Sequence, residues 1–144
     1  DVLEFIQSEL KKININLKIE ITPPSILRQG KAKGKYNFFR ASWIADYPNP
    51  ENYFDLFYSK NKTPNGPNYT YFMNKKYDSV YNNLKDKKSN IEKTFEILED
   101  IIYDFSPIIP LYYDMSIRLI DNDIIGMSNN AINMLNLEGV EKLW

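Results

Sequence analysis

The spacing of hydrophobic residues changes from a helical to a strand-like period near the start of the chain. Over residues 1–12 the apolar side chains recur at steps of three and four, which predicts an amphipathic helix. Over residues 14–22 isoleucines and leucines alternate with polar residues, and this period of two predicts a half-buried strand. Pro23 and Pro24 end that strand, because proline cannot donate to a strand ladder.

The following segments predict a short helix, a second strand and a rigid loop. Ser25 is a candidate cap for a short helix that fades before Gly30 and Gly34. The aromatic and apolar stretch 36–43 predicts a strand. That strand leads into a loop whose backbone is stiffened by Pro48 and Pro50.

The middle of the chain predicts helices separated by a polar loop. Residues 51–59 are typical of a short aromatic-rich helix, and residues 75–86 predict a further helix with its tyrosines and aliphatic residues on one side. Between these helices, residues 60–68 are polar, rich in turn formers and without periodicity. They are the only linker-like stretch in the sequence.

The helix predicted at 91–105 has the clearest boundaries. Ser89 or Asn90 is its candidate cap, and Pro107 stops it. Its apolar residues recur at alternating steps of four and three, which indicates a face packed in the core. These residues are Ile91, Phe95, Leu98, Ile102 and Phe105.

Two short strands are predicted after this helix, at 108–113 and 116–120. From residue 121 onward the pattern is weak, with turns expected at 122–123 and 129–130. Helices and strands therefore mix along the chain, which predicts an α/β fold.

Composition narrows the classes of function. The 18 basic and 19 acidic residues give a net charge of −1, without the basic excess of a nucleic-acid binder. No His and no Cys are present, which excludes a Ser-His-Asp triad, thiol catalysis and zinc sites built from His or Cys. The sequence thus disfavours an enzyme and predicts no metal and no cofactor. The longest apolar run is far shorter than the roughly 18–20 residues of a membrane span.

One segment has the residue types of a binding site. Between Arg40 and Pro48 a cation, an indole and a carboxylate lie where a predicted strand meets the rigid loop, and ligand crevices of open α/β sheets lie beyond strand ends. The carboxylate of Asp46 can pair with an ammonium, and Trp43 offers an apolar wall or a cation–π face. Alternatively, Trp43 and Tyr47 are plain core, Asp46 forms a turn and Arg40 is a surface charge.

The segment WIADYPNP, residues 43–50, resembles the W-x-A-D-Y signature of the bacterial family 5 extracellular solute-binding proteins. These are the oligopeptide and dipeptide binders of ABC importers. Other segments resemble the family in the same order, so that the resemblance covers roughly residues 1–125. They are KKININLKIE at 11–20, KGKYN at 33–37, YFMNKKYD at 71–78 and SPIIPLYY at 106–113.

The resemblance implies a fold and a place within it. Family members are long two-lobed proteins of the type II, cluster C periplasmic-binding class, which hold the ligand between their lobes. This chain is similar to the C-terminal portion, and its opening DVLEFIQ without Met is typical of the middle of a longer protein. Residues 1–120 are then expected to form part of the second lobe, and residues 121–144 to return toward the first.

The resemblance also implies a function and ligand contacts. The function is non-catalytic binding of a peptide or related solute, in the periplasm or elsewhere outside the cytoplasm, with a lipid anchor as an option on the missing N-terminus. Asp46 would pair with the ligand's ammonium, Trp43 would line the pocket, Arg40 would face the ligand's carboxylate end, and Tyr47 would be wall or core. The expected partners are ABC permease subunits and the missing N-terminal part of the same protein.

Other functions remain open on the sequence alone. A carboxylate-based hydrolase would use Asp46 with Glu51 or Asp55, although nothing in the spacing pairs two carboxylates across a bond. A protein-interaction domain would use the aromatic residues of 36–58 as a docking face. Within the family, relatives also bind nickel chelates, haem or oligosaccharides.

Overall fold

The computed structural model describes residues 2–85, 90–130 and 133–143. They divide into two compact units, Asp1–Tyr36 and Asn37–Trp144. The α-helices are α1 Val2–Lys12, α2 Pro24–Ala32, α3 Glu51–Phe54, α4 Lys75–Asn82 and α5 Ile91–Phe105. Three 3-10 turns, Asp55–Phe57, Ser59–Asn61 and Asn83–Lys85, extend or follow these helices, and the strands are β1 Ile124–Ile125 and β2 Glu141–Lys142. None of the helices in the described ranges has the length and apolar character to cross a membrane.

The first unit contains the helices α1 and α2. The helix predicted at 1–12 is confirmed as α1. The cap predicted for α2 was wrong, because the helix starts at Pro24 without a side-chain cap; it continues through Gly30 and ends at Ala32, before Gly34. Gly30 has a packing role inside the helix, because the ring of Tyr36 occupies the space that a side chain at residue 30 would need. A Cβ at this position would lie 2.2 Å from the Tyr36 ring.

Asparagine side chains cap the two longer helices of the second unit. The Oδ1 atom of Asn74 accepts hydrogen bonds from the first-turn amides of α4 at 2.9 and 3.0 Å. Asn90 does the same for α5 at 3.1 Å, which confirms the asparagine as a cap, while the alternative cap Ser89 lies outside the described residues. The helix α5 ends at Ser106, a left-handed residue immediately before Pro107.

The core of the second unit lies where α3, α4 and α5 meet. Most of its buried side chains are aromatic, and α4 and α5 pack directly against each other. The buried residues are Phe54, Phe57, Tyr58, Tyr77, Tyr81, Leu98 and Ile101. The face predicted for α5 is confirmed at its centre, Leu98, but Ile91 and Phe105 at its two ends are exposed.

The strands predicted at 14–22, 36–43, 108–113 and 116–120 are not formed, and this part of the α/β prediction was wrong. Within the described ranges, the strands are limited to the antiparallel pair β1–β2, two residues each. A strand exists only when a neighbour accepts and donates its backbone hydrogen bonds, and alternation in the sequence does not provide that neighbour. The apolar side chains of these segments are left largely uncovered, as Ile21 at 95% exposure illustrates.

The predicted division between residues 120 and 121 concerns two lobes and stays a prediction. The boundary between the two compact units falls elsewhere, after Tyr36.

Candidate functional site

The segment singled out in the sequence forms a loop of the second unit that leads into α3. Trp43 is half-buried, whereas Asp46 and Tyr47 are exposed at the surface. Pro50 precedes the first residue of α3, and the side chain of Asn49 accepts a hydrogen bond of 3.0 Å from the Glu51 amide. The two prolines and this turn fix the direction in which the loop enters the helix.

A buried side chain of α3 holds this loop. Asn52 is 3% exposed, and its Oδ1 atom accepts a hydrogen bond of 2.8 Å from Nε1 of Trp43. The same oxygen accepts a second hydrogen bond, of 3.2 Å, from the backbone amide of Asp46. Sequence reasoning missed Asn52; the only signal was a single amide within the aromatic helix predicted at 51–59.

An open depression of about 420 Å³ lies beside the loop. Trp43, Asp46 and Tyr47 line it together with the two α3-region residues Asn52 and Asp55. The remaining lining comes from the loop predicted to be a linker and from the residue that follows it: Pro64, Asn65, Gly66 and Pro67, and then Tyr69. The depression is thus lined by two loops and by residues at the start of the α3 region.

The loop 60–68 is held by a fully buried asparagine rather than being a linker. The Nδ2 atom of Asn68 donates to the carbonyl oxygens of Tyr58 at 3.2 Å and Phe72 at 2.9 Å. Gly66 lies so close to the backbone of Asn61 that a Cβ would be 2.5 Å from its carbonyl oxygen. The peptide bond between Thr63 and Pro64 is cis. Turn formers indicated the loop, but the sequence did not show that Asn68 is buried and holds it.

The carboxylates around the depression differ in their partners. Among the described residues, the side chain of Asp46 makes no hydrogen bond and no ion pair, so its oxygens are open to solvent. The Oδ1 atom of Asp55 instead accepts from the hydroxyl of Tyr81 and, at 3.2 Å, from Nδ2 of Asn61. Asp46 is therefore the carboxylate available to a ligand cation, and Asp55 is engaged within the protein.

Two tyrosines report the electrostatics of this region. Partial burial raises the pKa of Tyr47; the nearby carboxylates of Asp55, Glu51 and Asp46 raise it further, while a hydrogen bond with Asn52 acts in the opposite direction. The pKa of Tyr81 is raised by burial first and by its contact with Asp55 second. Both shifts indicate that this part of the protein disfavours an additional negative charge.

Arg40 is not brought to the depression. Its guanidinium is exposed, and its Nη2 atom donates a hydrogen bond to the hydroxyl of Tyr112. The structure thus brings together three of the four predicted site residues, Trp43, Asp46 and Tyr47.

A second depression, of about 550 Å³, lies in the first unit between α1 and residues 16–21. Its shape depends in part on a hydrogen bond of 2.6 Å from Nε2 of Gln7 to the carbonyl oxygen of Leu17. It contains none of the predicted site residues, so the depression beside Asp46 is the candidate site. In the ranges 2–85, 90–130 and 133–143, no group of three or more His, Cys, Asp or Glu residues is placed to hold a metal ion.

Comparison with known proteins agrees with the resemblance found in the motif. The family described as bacterial extracellular solute-binding proteins, family 5 Middle, matches residues 1–65. These residues include the loop from Trp43 to Pro50. Residues 1–65 are thus similar to the family 5 extracellular solute-binding proteins, and the predicted resemblance is confirmed.

One curated relative is the dipeptide-binding protein DppE of Bacillus subtilis (strain 168). It is 25% identical to this chain over 146 residues, which cover 98% of the chain and 26% of the relative. The chain therefore spans about a quarter of the length of this relative.

Proposed function

We propose that this chain contributes part of the ligand site of an extracytoplasmic solute-binding protein that captures a peptide, or a related solute with a free amine, for an ABC importer. The protein binds its ligand without transforming it. Two observations support this proposal: the relationship to family 5 and to a dipeptide-binding protein, and the unpaired carboxylate of Asp46 beside an open depression. The second of these carries the ligand chemistry.

Asp46 has the properties required of an ammonium-binding group. Its side chain is exposed, its oxygens have no partner among the described residues, and the indole of Trp43 lines the same depression. An ammonium paired with a carboxylate forms charge-assisted hydrogen bonds, which are about twice as strong as neutral ones. Closure of a second lobe over the depression would exclude water and strengthen this pair.

The other predicted contacts follow from the same arrangement. Trp43 and Tyr47 form the aromatic side of the depression, where they would cover the ligand beside its amine. Arg40, as the group for the ligand's carboxylate end, would exchange its hydrogen bond with Tyr112 for one with the ligand. Two lobes would hold the ligand, with residues 1–120 in the second lobe and residues 121–144 returning toward the first.

The proposed partners and location complete this function. They are the ABC permease subunits and an N-terminal part of the same polypeptide that supplies the opposite lobe. A lipid anchor on that part would hold the protein outside the cytoplasm. Mass spectrometry of the ligands that co-purify with the two-lobed protein should find intact peptides, and incubation with peptides should yield no cleavage products.

The role of Asp46 is tested by calorimetry on the two-lobed protein with alanine peptides of two to five residues. Asp46→Asn keeps the shape of the side chain and removes its charge. It should weaken binding by about 1.5–3 kcal/mol, which is the typical contribution of a hydrogen bond to a charged group. Asp100→Asn is the matched control, because Asp100 is an exposed carboxylate on α5 outside the depression.

Peptides with an acetylated N-terminus separate the charge from the rest of the ligand. They should bind the unmodified protein and the Asp46→Asn variant with equal, weak affinity. Equal affinity of the two proteins for the free-amine peptides would remove Asp46 from the site. Cleavage of the peptides would reject the non-catalytic function.

A further inference from the structure

Asn52 has a buried polar side chain. Burying such a side chain lowers the stability of the folded state unless its polar atoms are hydrogen-bonded. Its Oδ1 atom accepts from the indole of Trp43 and from the backbone amide of Asp46, so both acceptor positions of the oxygen are used. The two donors lie at the two ends of the four-residue segment 43–46. A single oxygen atom therefore connects the aromatic side of the depression to the residue that bears the free carboxylate.

The segment 43–46 makes no other hydrogen bond in the described part of the chain. The two hydrogen bonds to Asn52 are the only ones its residues make there, and Ile44 between them is 77% exposed. Fixing the backbone of one residue costs about 1–2 kcal/mol in conformational entropy, so a segment without these bonds would sample many arrangements. The orientation of the Asp46 side chain follows from the orientation of this backbone.

We infer that Asn52 is the positioning residue of the site: it holds the indole of Trp43 and the backbone of Asp46 in one fixed arrangement, and thereby sets where a ligand ammonium binds. Asn52 acts through these two residues and lies beneath them. The effect on the ligand rests on the function proposed above, whereas the effect on Trp43 and Asp46 does not. The two parts can therefore be tested separately.

The first test uses this chain without ligand. In ¹H–¹⁵N spectra the indole N–H of Trp43, assigned with Trp43→Phe, should exchange with solvent about tenfold or more slowly than the indole of free tryptophan, because it is hydrogen-bonded and half-buried. Asn52→Leu fills a similar volume but removes the acceptor, and should abolish this protection. Asn52→Asp keeps an acceptor oxygen and should retain it.

The backbone amide of Leu98 in α5 provides the control for folding, because Leu98 is a core residue and the partners of the Asn52 oxygen are Trp43 and Asp46. Its exchange should be unchanged in both variants. An unprotected Trp43 indole in the unsubstituted chain would overturn the inference without any variant. Protection that survives in a folded Asn52→Leu variant would overturn it as well.

The second test is a double-mutant cycle on the two-lobed protein with free-amine alanine peptides. Asn52→Leu alone should weaken binding about tenfold, but only about twofold when Asp46 is already asparagine, since residues that act through one another are not additive. If the affinity loss of the double variant equals the product of the losses of the two single variants, the positioning role is overturned. Unchanged binding by Asp46→Asn would instead contradict the proposed function and leave the indole result standing.

Discussion

The hydroxyl of Tyr77 donates a hydrogen bond of 2.8 Å to the carbonyl oxygen of Phe54. This bond joins the buried side of α4 to the last residue of α3, and the ring of Tyr77 is fully buried. A helix of four residues such as α3 is not stable on its own. The conformational entropy lost in forming its first turn exceeds the stabilisation from the few hydrogen bonds of that turn. The aromatic core therefore fixes α3, and with it Asn52 at the edge of the candidate site.

The centre of that core is Leu98, and its truncation should destabilise the second unit. Its side chain is 0% exposed between α4 and α5. Leu98→Ala should lower the free energy of unfolding by about 2–5 kcal/mol, because transfer and cavity terms add. Leu119→Ala is the matched control, since Leu119 is 98% exposed and its truncation should change stability by no more than about 0.5 kcal/mol. Urea unfolding of the two variants measures the difference; equal losses would show that Leu98 is not packed.

The loop 60–68 should depend on the buried amide of Asn68. Asn68→Ala leaves the carbonyl oxygens of Tyr58 and Phe72 without their donor and should cost about 1–3 kcal/mol for each buried group that stays unpaired. Asn65→Ala, an exposed asparagine in the same loop, should be within about 0.5 kcal/mol of the unsubstituted chain. Denaturant unfolding and limited proteolysis within 60–68 report both effects. A loop cleaved equally fast in the two variants would contradict a structural role for Asn68.

Stability should fall at alkaline pH because of buried tyrosines. Burial raises the pKa of Tyr77 and of Tyr81 above the ordinary value of about 10. An acid with a raised pKa stabilises the folded state below the unfolded pKa, and this contribution is lost as the pH rises above it, because the unfolded chain releases its protons first. The free energy of unfolding should therefore decrease from about pH 10 upward.

The Tyr81→Phe variant isolates one of these groups. It should reduce the slope of stability against pH above pH 10 by up to about 1.4 kcal/mol per pH unit, the value for one proton. Tyr113→Phe should leave the slope unchanged, because Tyr113 is 100% exposed and lies in water in the folded chain as in the unfolded chain. Urea unfolding at intervals from pH 8 to 11 gives the slopes; identical slopes for all three proteins would place Tyr81 in solvent.

The helices and the strands show how far the sequence predicts this fold. α1 and α5 were predicted at their observed positions because a helix closes its hydrogen bonds within one segment. Periodicity was enough for α1, and an asparagine cap and a terminating proline added to it in α5. The alternation at 14–22 was equally regular, yet no strand forms there. The hydrogen bonds of a strand would have to come from a neighbouring strand, and none pairs with residues 14–22 in the described part of the chain.

The candidate site divides in the same way. Trp43, Asp46 and Tyr47 were predicted together from a short motif, and they line one depression because they are close in sequence. The contributions of the loop 60–68 and of Asn52 to the depression were not predicted. They depend on which segments fold against the motif. Arg40 was grouped with the motif by its position in sequence, and only the folded chain places it at Tyr112.

The sequence by itself determined the local features: where helices begin and end, which chemistries are absent, and which loop carries the family motif. The tertiary structure decided the rest: which predicted strands remain unpaired, that Asp55 is engaged while Asp46 is open, and that Asn52 holds the loop. The physical reason is the range of the interactions. Helix caps, prolines and helical periodicity act within a few residues, whereas strand pairing, burial of an amide and the exposure of a carboxylate depend on residues that only folding brings together.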